Sequence, residues 1–295
     1  MDREKEQVIK MRKGFIAALD QSGGSSGKTL ALYGVGKDRY KDDKEMFDLI
    51  HKFRKRIMTS SVFSKEEIIG VILFQETMNR KINKKFVADY LWDEKNIVSF
   101  LKVDKGLLDV ENGVQLMKPN PELLNILDEA KDKNIFGTKM RSVIHEANKK
   151  GIEEVVRQQF TLAKTIFDAG LVPIIEPEVD INAPEKEKCE EMLKAEIIER
   201  LKIWNKEDKI MFKFTIPTIA NHYLDLYDYE CVVRIVALSG GYDIDKAVEL
   251  LAKNNRMIAS FSRALLQDLN ANQSQEEFDQ KLHDVIVKIY YASIS

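Results

Sequence analysis

The sequence predicts an α/β protein: a (β/α)8 TIM barrel in one domain, with an N-terminal helix. Eight short apolar runs rich in β-forming residues alternate with longer amphipathic stretches. Charged side chains recur two residues apart near the C-terminal ends of successive runs. The 295 residues also suit a single barrel, for which about 250 residues is typical.

Residues 1–12 read as a helix ahead of the first strand. Strands are expected at 14–20, 68–74, 98–104, 136–142, 172–178, 210–216, 231–239 and 257–263, each too short for a helix. Helical patterns fall at 44–58, 151–169, 184–204, 243–252 and 274–291. Strands alternating with helices eight times predict parallel pairing through crossovers, with a closed barrel or an open doubly wound sheet as the two solutions. No linker, low-complexity tract or sequence repeat breaks the pattern.

Polar residues decide between the two. Side chains in a strand alternate faces, so residues i and i+2 point the same way. Lys102 and Asp104, Lys139 and Arg141, and Glu176 and Glu178 are such pairs, and Asp20 and Lys213 also stand near strand ends. An open sheet would bury this ring of charge under helices at high cost. A barrel accepts it at the C-terminal mouth, where such folds carry their active sites.

Composition narrows the function. Basic residues number 46 against 48 acidic, a net charge of -2, which argues against nucleic acid or an anionic membrane as partner. The start, Met1-Asp2-Arg3-Glu4-Lys5-Glu6, has no signal-peptide core, and no run approaches the ~20 apolar residues of a membrane span. Two cysteines, Cys189 and Cys231, do not make a disulfide framework, so a reducing cytoplasm is expected. His51, His145, His222 and His283 share no ligand spacing and are expected away from strand ends, which disfavours a zinc site. Asp20, Asp104, Glu176 and Glu178 together resemble a hard-cation set, but five basic residues at the same mouth oppose it; no metal is expected. The glycine-rich stretches fit neither the dinucleotide fingerprint nor the P-loop, and no cofactor is expected.

The candidate nucleophile is Lys213, set in Ile210-Met211-Phe212-Lys213-Phe214-Thr215-Ile216. Desolvation in such a setting lowers a lysine pKa from its reference of about 10.4, and neighbouring cations such as Lys139 and Arg141 would favour the neutral amine that attacks a carbonyl. The competing reading is a structural lysine paired with Glu176 or Glu178, and the two are compatible. Ser239-Gly240-Gly241 after the seventh strand and Ser260-Phe261-Ser262-Arg263 after the eighth fall where barrels commonly bind phosphate. Arg263 would add a charge-assisted fork. The segment Ser22-Gly23-Gly24-Ser25-Ser26-Gly27 has two readings: a second phosphate contact through Ser22 and Ser25, or a plain connection.

Phe15-Ile16-Ala17-Ala18-Leu19-Asp20-Gln21-Ser22, Lys102-Val103-Asp104-Lys105-Gly106, Lys139-Met140-Arg141, Pro173-Ile174-Ile175-Glu176-Pro177-Glu178, Leu238-Ser239-Gly240-Gly241 and Arg263-Ala264-Leu265 stand in an order and spacing that resembles class I fructose-1,6-bisphosphate aldolase, in its short bacterial branch. The likeness spans residues 15–265. It implies a metal-independent lyase of glycolysis and gluconeogenesis that cleaves D-fructose 1,6-bisphosphate through a lysine Schiff base. By motif, Lys213 would form the imine and Glu176 would be the principal proton acceptor and assist carbinolamine dehydration. Asp20 would help deprotonate the C4 hydroxyl, Lys139 would stabilise the reacting hydroxyl and carbinolamine, and Glu178 would hold the charge network. Lys102 and Arg141 would serve the C6 phosphate; Ser239, Gly240, Gly241 and Arg263 would hold the C1 phosphate.

Departures from the eukaryotic pattern are Phe214-Thr215 for Pro-Asn, Met140 for tryptophan, and an end at Ser295 without the tail whose terminal tyrosine aids proton transfer. Whether Tyr290 or Tyr291 replaces that tyrosine is open, and the oligomeric state stays undecided. Two alternatives also stay open: another Schiff-base sugar-phosphate barrel (tagatose-bisphosphate or transaldolase-like), and a non-catalytic barrel that binds sugar phosphates or a protein.

Overall fold

Each of the eight apolar runs forms a strand: β1 Phe15–Leu19, β2 Ile68–Leu73, β3 Val98–Lys102, β4 Gly137–Ile144, β5 Val172–Val179, β6 Ile210–Thr215, β7 Val232–Leu238 and β8 Met257–Ala259. The computed structural model describes residues 2–21 and 23–295, with the backbone alone for residues 23–25. The strands pair in chain order and all in parallel. The ring is nearly closed: just past β8, the Phe261 carbonyl accepts from Ala18 N–H of β1 at 3.3 Å.

The α-helices of eight or more residues are α1 Arg3–Met11, α2 Gly23–Leu32, α3 Asp43–Thr59, α4 Val87–Lys95, α5 Leu123–Asp132, α6 Lys149–Asp168, α7 Lys186–Ile203, α8 Ile244–Leu251 and α9 Gln275–Ser293. Among the described residues, no helix is long and apolar enough to cross a membrane.

The period-two alternation of the strands sorts apolar side chains into two layers. Ile16, Ala18, Val98, Phe100, Val172, Ile174, Met211, Val236 and Ile258 meet in one buried cluster, the inside of the barrel. Phe15, Ala17, Leu19, Ile175, Phe212 and Phe214 belong to the larger cluster between strands and helices. The barrel floor is closed by α1. Asp2 caps its start by accepting from Glu4 N–H and Lys5 N–H, and Ile9 joins the inner cluster. At its other end, Arg234 of β7 donates to the carbonyls of Ile9, Lys10 and Arg12 at 2.8, 2.8 and 3.1 Å, satisfying acceptors that a helix C-terminus leaves open. With the N-terminal face sealed, a polar site is left the opposite mouth.

Several boundaries differ from expectation. The eighth strand ends at Ala259, and Arg263 opens the short helix Arg263–Leu266. Residues 23–27, read as part of a loop, fall instead at the start of α2, where helix position outweighs the low helix propensity of the glycines.

Candidate active site

Lys213 is held by the packing of its neighbours. The rings of Phe212 and Phe214 stack outward with centroids 5.4 Å apart, and Phe214 stacks on Tyr223 at 3.9 Å. Alternation then aims Lys213 into the barrel, where it is 3% exposed. Its Nζ lies 3.0 Å from Glu176 Oε1. Lys139 Nζ lies 3.0 Å from the other Glu176 oxygen and 2.7 Å from Asp20 Oδ2. Asp20, Lys139, Glu176 and Lys213, from four different strands or their ends, thus form a buried chain of alternating charge. Toward the mouth, Arg141 Nε donates to Glu178 Oε2 at 2.5 Å, and Lys102 Nζ donates to Asp104 Oδ1 at 2.7 Å.

The two lysines of the buried chain are not equivalent. Burial disfavours the charge on Lys139, but Asp20, Glu176 and Asp104 outweigh it and hold its pKa above the ordinary lysine value. Clamped by two carboxylates, Lys139 stays an ammonium and is a poor nucleophile. Lys213 has one carboxylate beside it. Burial likewise opposes ionisation of Asp20 and Glu176; Lys139 and Lys213 more than offset it, leaving both carboxyls below their usual range. Burial pulls Arg141 down, yet its bond to Glu178 raises it above the ordinary arginine value.

These side chains line a cavity of about 660 Å³ at the C-terminal mouth. Asp20, Lys102, Lys139, Arg141, Glu176, Glu178 and Lys213 all face it, as do Ser239, Gly240, Ser260 and Arg263. Gly241 is not part of the lining; a Cβ on it would meet an Arg263 guanidinium nitrogen at 3.6 Å, so it backs that side chain. Gly240 has φ +63° and a Cβ there would lie 2.6 Å from Ile181, so the turn requires glycine. The Ser260 hydroxyl is buried without a partner among the described residues, a donor left over for a ligand. Ser22 and the side chain of Ser25 lie outside the described residues. Among the described residues, six cationic and four acidic side chains line this cavity, although the chain as a whole carries -2. The excess suits an anionic ligand.

Three residues escaped the sequence reading. Lys28 reaches the cavity from α2, hidden because its segment read as a loop. Gln21, also in the lining, donates to Ala18 O at 3.2 Å and to Ser262 Oγ. Arg54 is 1% exposed on α3; it donates to Thr77 Oγ1 at 2.6 Å and to the Gln21 carbonyl. Burial lowers its pKa to about 10, against the pull of Asp20. A buried arginine on an amphipathic helix carries no sequence signal of its own.

One expectation about histidine fails. His145 directly follows Ile144, the last residue of β4, because that strand runs two residues beyond its predicted end. Its ring nitrogens meet Asp180 Oδ2 and Gln115 Oε1 at 3.0 Å each, and it does not line the cavity. Among the described residues, no group of three or more His, Cys, Asp or Glu side chains is arranged to hold a metal. Tyr290 and Tyr291 of α9 are not in the lining either, and Tyr291 is 63% exposed. A second, largely apolar cavity of about 380 Å³ lies between the 103–120 segment, α5 and α6, away from Lys213.

Comparison with known proteins agrees with this geometry. A family model described as class-I fructose-bisphosphate aldolase matches residues 1–216. A "Fructose-bisphosphate aldolase class 1" of Clostridium acetobutylicum is 56% identical over 295 residues, the full length of both chains. Among solved structures, the fructose-bisphosphate aldolase of Plasmodium falciparum, crystallised with TRAP and a small-molecule inhibitor, superposes with a TM-score of 0.74 over 99% of this chain and 94% of its own; at 18% identity it attests the fold alone. On the family match and the full-length relative, this chain belongs to the class I fructose-bisphosphate aldolases.

Proposed function

We propose that the protein reversibly cleaves D-fructose 1,6-bisphosphate to dihydroxyacetone phosphate and D-glyceraldehyde 3-phosphate through a Schiff base at Lys213. The observation that carries this is the buried contact of Lys213 Nζ with Glu176 Oε1 at 3.0 Å, beside a Lys139 clamped by two carboxylates.

Lys213 must shed a proton before it can attack the C2 carbonyl, and Glu176 is close enough to take it. The same carboxyl then returns a proton to the carbinolamine hydroxyl, which departs as water and leaves the protonated imine. Asp20 accepts the C4 hydroxyl proton. The C3–C4 electron pair moves into the imine, glyceraldehyde 3-phosphate leaves, and the enamine on Lys213 is protonated at C3. Hydrolysis releases dihydroxyacetone phosphate. The imine nitrogen is the electron sink. Lys139, fixed as an ammonium, stabilises oxygen that gains charge at the carbinolamine and at C4. Glu178 keeps Arg141 in register through their 2.5 Å contact.

Lys102 and Arg141 bind the C6 phosphate; Ser239, Gly240, Ser260 and Arg263 hold the C1 phosphate, with Gly241 backing Arg263. Ser22 and Ser25 are assigned to phosphate binding from the motif alone. The cationic excess in the cavity supports a doubly phosphorylated ligand. The two unpaired, buried cysteines support a reducing, cytosolic setting.

The test is borohydride reduction in the presence of dihydroxyacetone phosphate, followed by peptide mass spectrometry. One reduced ligand mass on the peptide carrying Lys213 is expected. Trapping on another lysine refutes the assignment, and a higher kcat/KM for tagatose 1,6-bisphosphate would move the substrate.

A further inference from the structure

The β5–β6 interface contains an interruption that no chain-wide feature of a barrel requires. On its other side, β5 pairs with β4 along its whole length, from Gly137↔Val172 to Ile144↔Val179. Likewise β6 pairs with β7 as far as Thr215↔Leu238. Between β5 and β6, however, the registered pairs are Ile174↔Met211 and Ile175↔Phe212. The next step in that register would be Glu176 opposite Lys213. The ladder therefore stops one residue below the two groups that meet in the imine chemistry.

Two side chains bond to the β5 backbone on either side of this break. Glu176 N–H donates to Gln159 Oε1 at 2.9 Å. Thr215 Oγ1 accepts from Val179 N–H at 3.0 Å and donates to Val179 O at 2.6 Å, closing the far end of the gap. Gln159 is 0% exposed, on the apolar face of α6 among Val155, Val156, Phe160 and Ala163. Among the described residues its Nε2 is buried with no partner, which is costly for a polar group. A methionine of similar volume would avoid that burden. Gln159 is retained at a cost, and its acceptor oxygen serves the backbone of Glu176.

We infer that Gln159 and Thr215 are positioning residues: Thr215 bridges β5 and β6 beyond the missing ladder, Gln159 holds the Glu176 backbone from α6, and together they set Glu176 opposite Lys213 for proton transfer. The inference rests on the Schiff-base reading above. The two contacts fix the β5 backbone on both sides of Glu176.

The experiment uses the full-length enzyme with Thr215→Val and Gln159→Met, which remove the hydrogen bonds at nearly constant volume, and Thr215→Ser, which retains the hydroxyl. Misplacement of catalytic groups by about 1 Å costs up to about 100-fold in rate. Thr215→Val and Gln159→Met are each expected to lower kcat about 10- to 100-fold with KM within about twofold of the parent. The single-turnover rate of borohydride-trappable imine formation should fall in parallel. The acidic limb of the kcat–pH profile should move to higher pH, because Glu176 is less well held by Lys213 and Lys139. Thr215→Ser should restore kcat and the limb. Parent-like kcat and pH profiles, even with a lower Tm, would overturn the inference, as would a loss that Thr215→Ser does not rescue. Should Thr215→Val fail to fold, Gln159→Met decides on the same criteria. Failure of the parent enzyme to trap at Lys213 would instead strike the underlying reading.

Discussion

Replacing Lys139 with methionine removes the cation that both Asp20 and Glu176 touch. Its Nζ lies 2.7 Å from one carboxylate and 3.0 Å from the other, so the two acidic oxygens are at most about 6 Å apart; at an effective dielectric of about 20 their repulsion is about 3 kcal/mol. Breaking a buried ion pair from one side typically costs about 3–5 kcal/mol. Lys213 and Lys102 still attract Asp20, which favours the lower end, about 3 kcal/mol at neutral pH. An unfolding entropy of about 2.1 cal/mol/K per residue converts 3–5 kcal/mol into a Tm fall of about 5–8 °C for a chain this size.

The pH dependence has a definite sign. In the parent, Asp20 and Glu176 have folded pKa values below their unfolded ones. Their stabilisation is therefore fully present above the unfolded carboxylate pKa and lost as pH falls through the folded values. In Lys139→Met the two carboxylates repel, so one of them takes up a proton more readily than in the unfolded chain, and stability falls as pH rises. The deficit relative to the parent should therefore be largest near neutrality and shrink toward about pH 5. Differential scanning calorimetry of both proteins across that range measures it. A Lys139→Met variant as stable as the parent at neutral pH, or a deficit that grows on acidification, would refute the charge-clamp account.

Arg141→Ala should lower kcat/KM by about 10- to 100-fold, the worth of one hydrogen bond to a charged group at about 1.5–3 kcal/mol. The loss should lie mainly in KM; a fall in kcat at constant KM would contradict a substrate-binding role. Gly137→Ala would set a Cβ 2.2 Å from the Val172 carbonyl oxygen and 2.9 Å from the Phe100 ring. It should destabilise the fold by about 1–3 kcal/mol or more, read from the urea midpoint, and an unchanged midpoint would show that the β4–β5 contact yields readily. Cys189 and Cys231 are buried, and burial raises both thiols, Cys189 to about 11. Neither should react with a thiol reagent in the native enzyme at neutral pH, whereas both should after unfolding; rapid labelling of the native protein would contradict their burial.

Much of the architecture was written in local pattern. Period-two alternation places Lys139 and Arg141, or Glu176 and Glu178, on one face of their strands whatever the rest of the chain does, and short β-rich runs between amphipathic stretches leave few topologies open. The charges at the ends of those runs therefore named the mouth and most of its residues. Ends of elements were less legible. Residues 23–27 open α2 despite three glycines, and β4 runs on to place His145 at a strand end, because tertiary contacts override weak local preference.

What only the folded chain decided is which charges touch. The sequence left Lys213 as either a nucleophile or a structural partner of Glu176 or Glu178. The structure pairs it with Glu176, gives Glu178 to Arg141, and clamps Lys139 between Asp20 and Glu176. Residues 37 to 119 positions apart cannot reveal such pairing in a local pattern. The roles of Arg54, Gln159 and Thr215 were hidden for the same reason. A polar side chain on an apolar helix face, or a threonine in a strand, looks the same in sequence whether or not it meets the backbone of a distant strand. Alternation sets which way a side chain points, a property of one strand; register between strands sets what it meets, and that exists only once the barrel has formed.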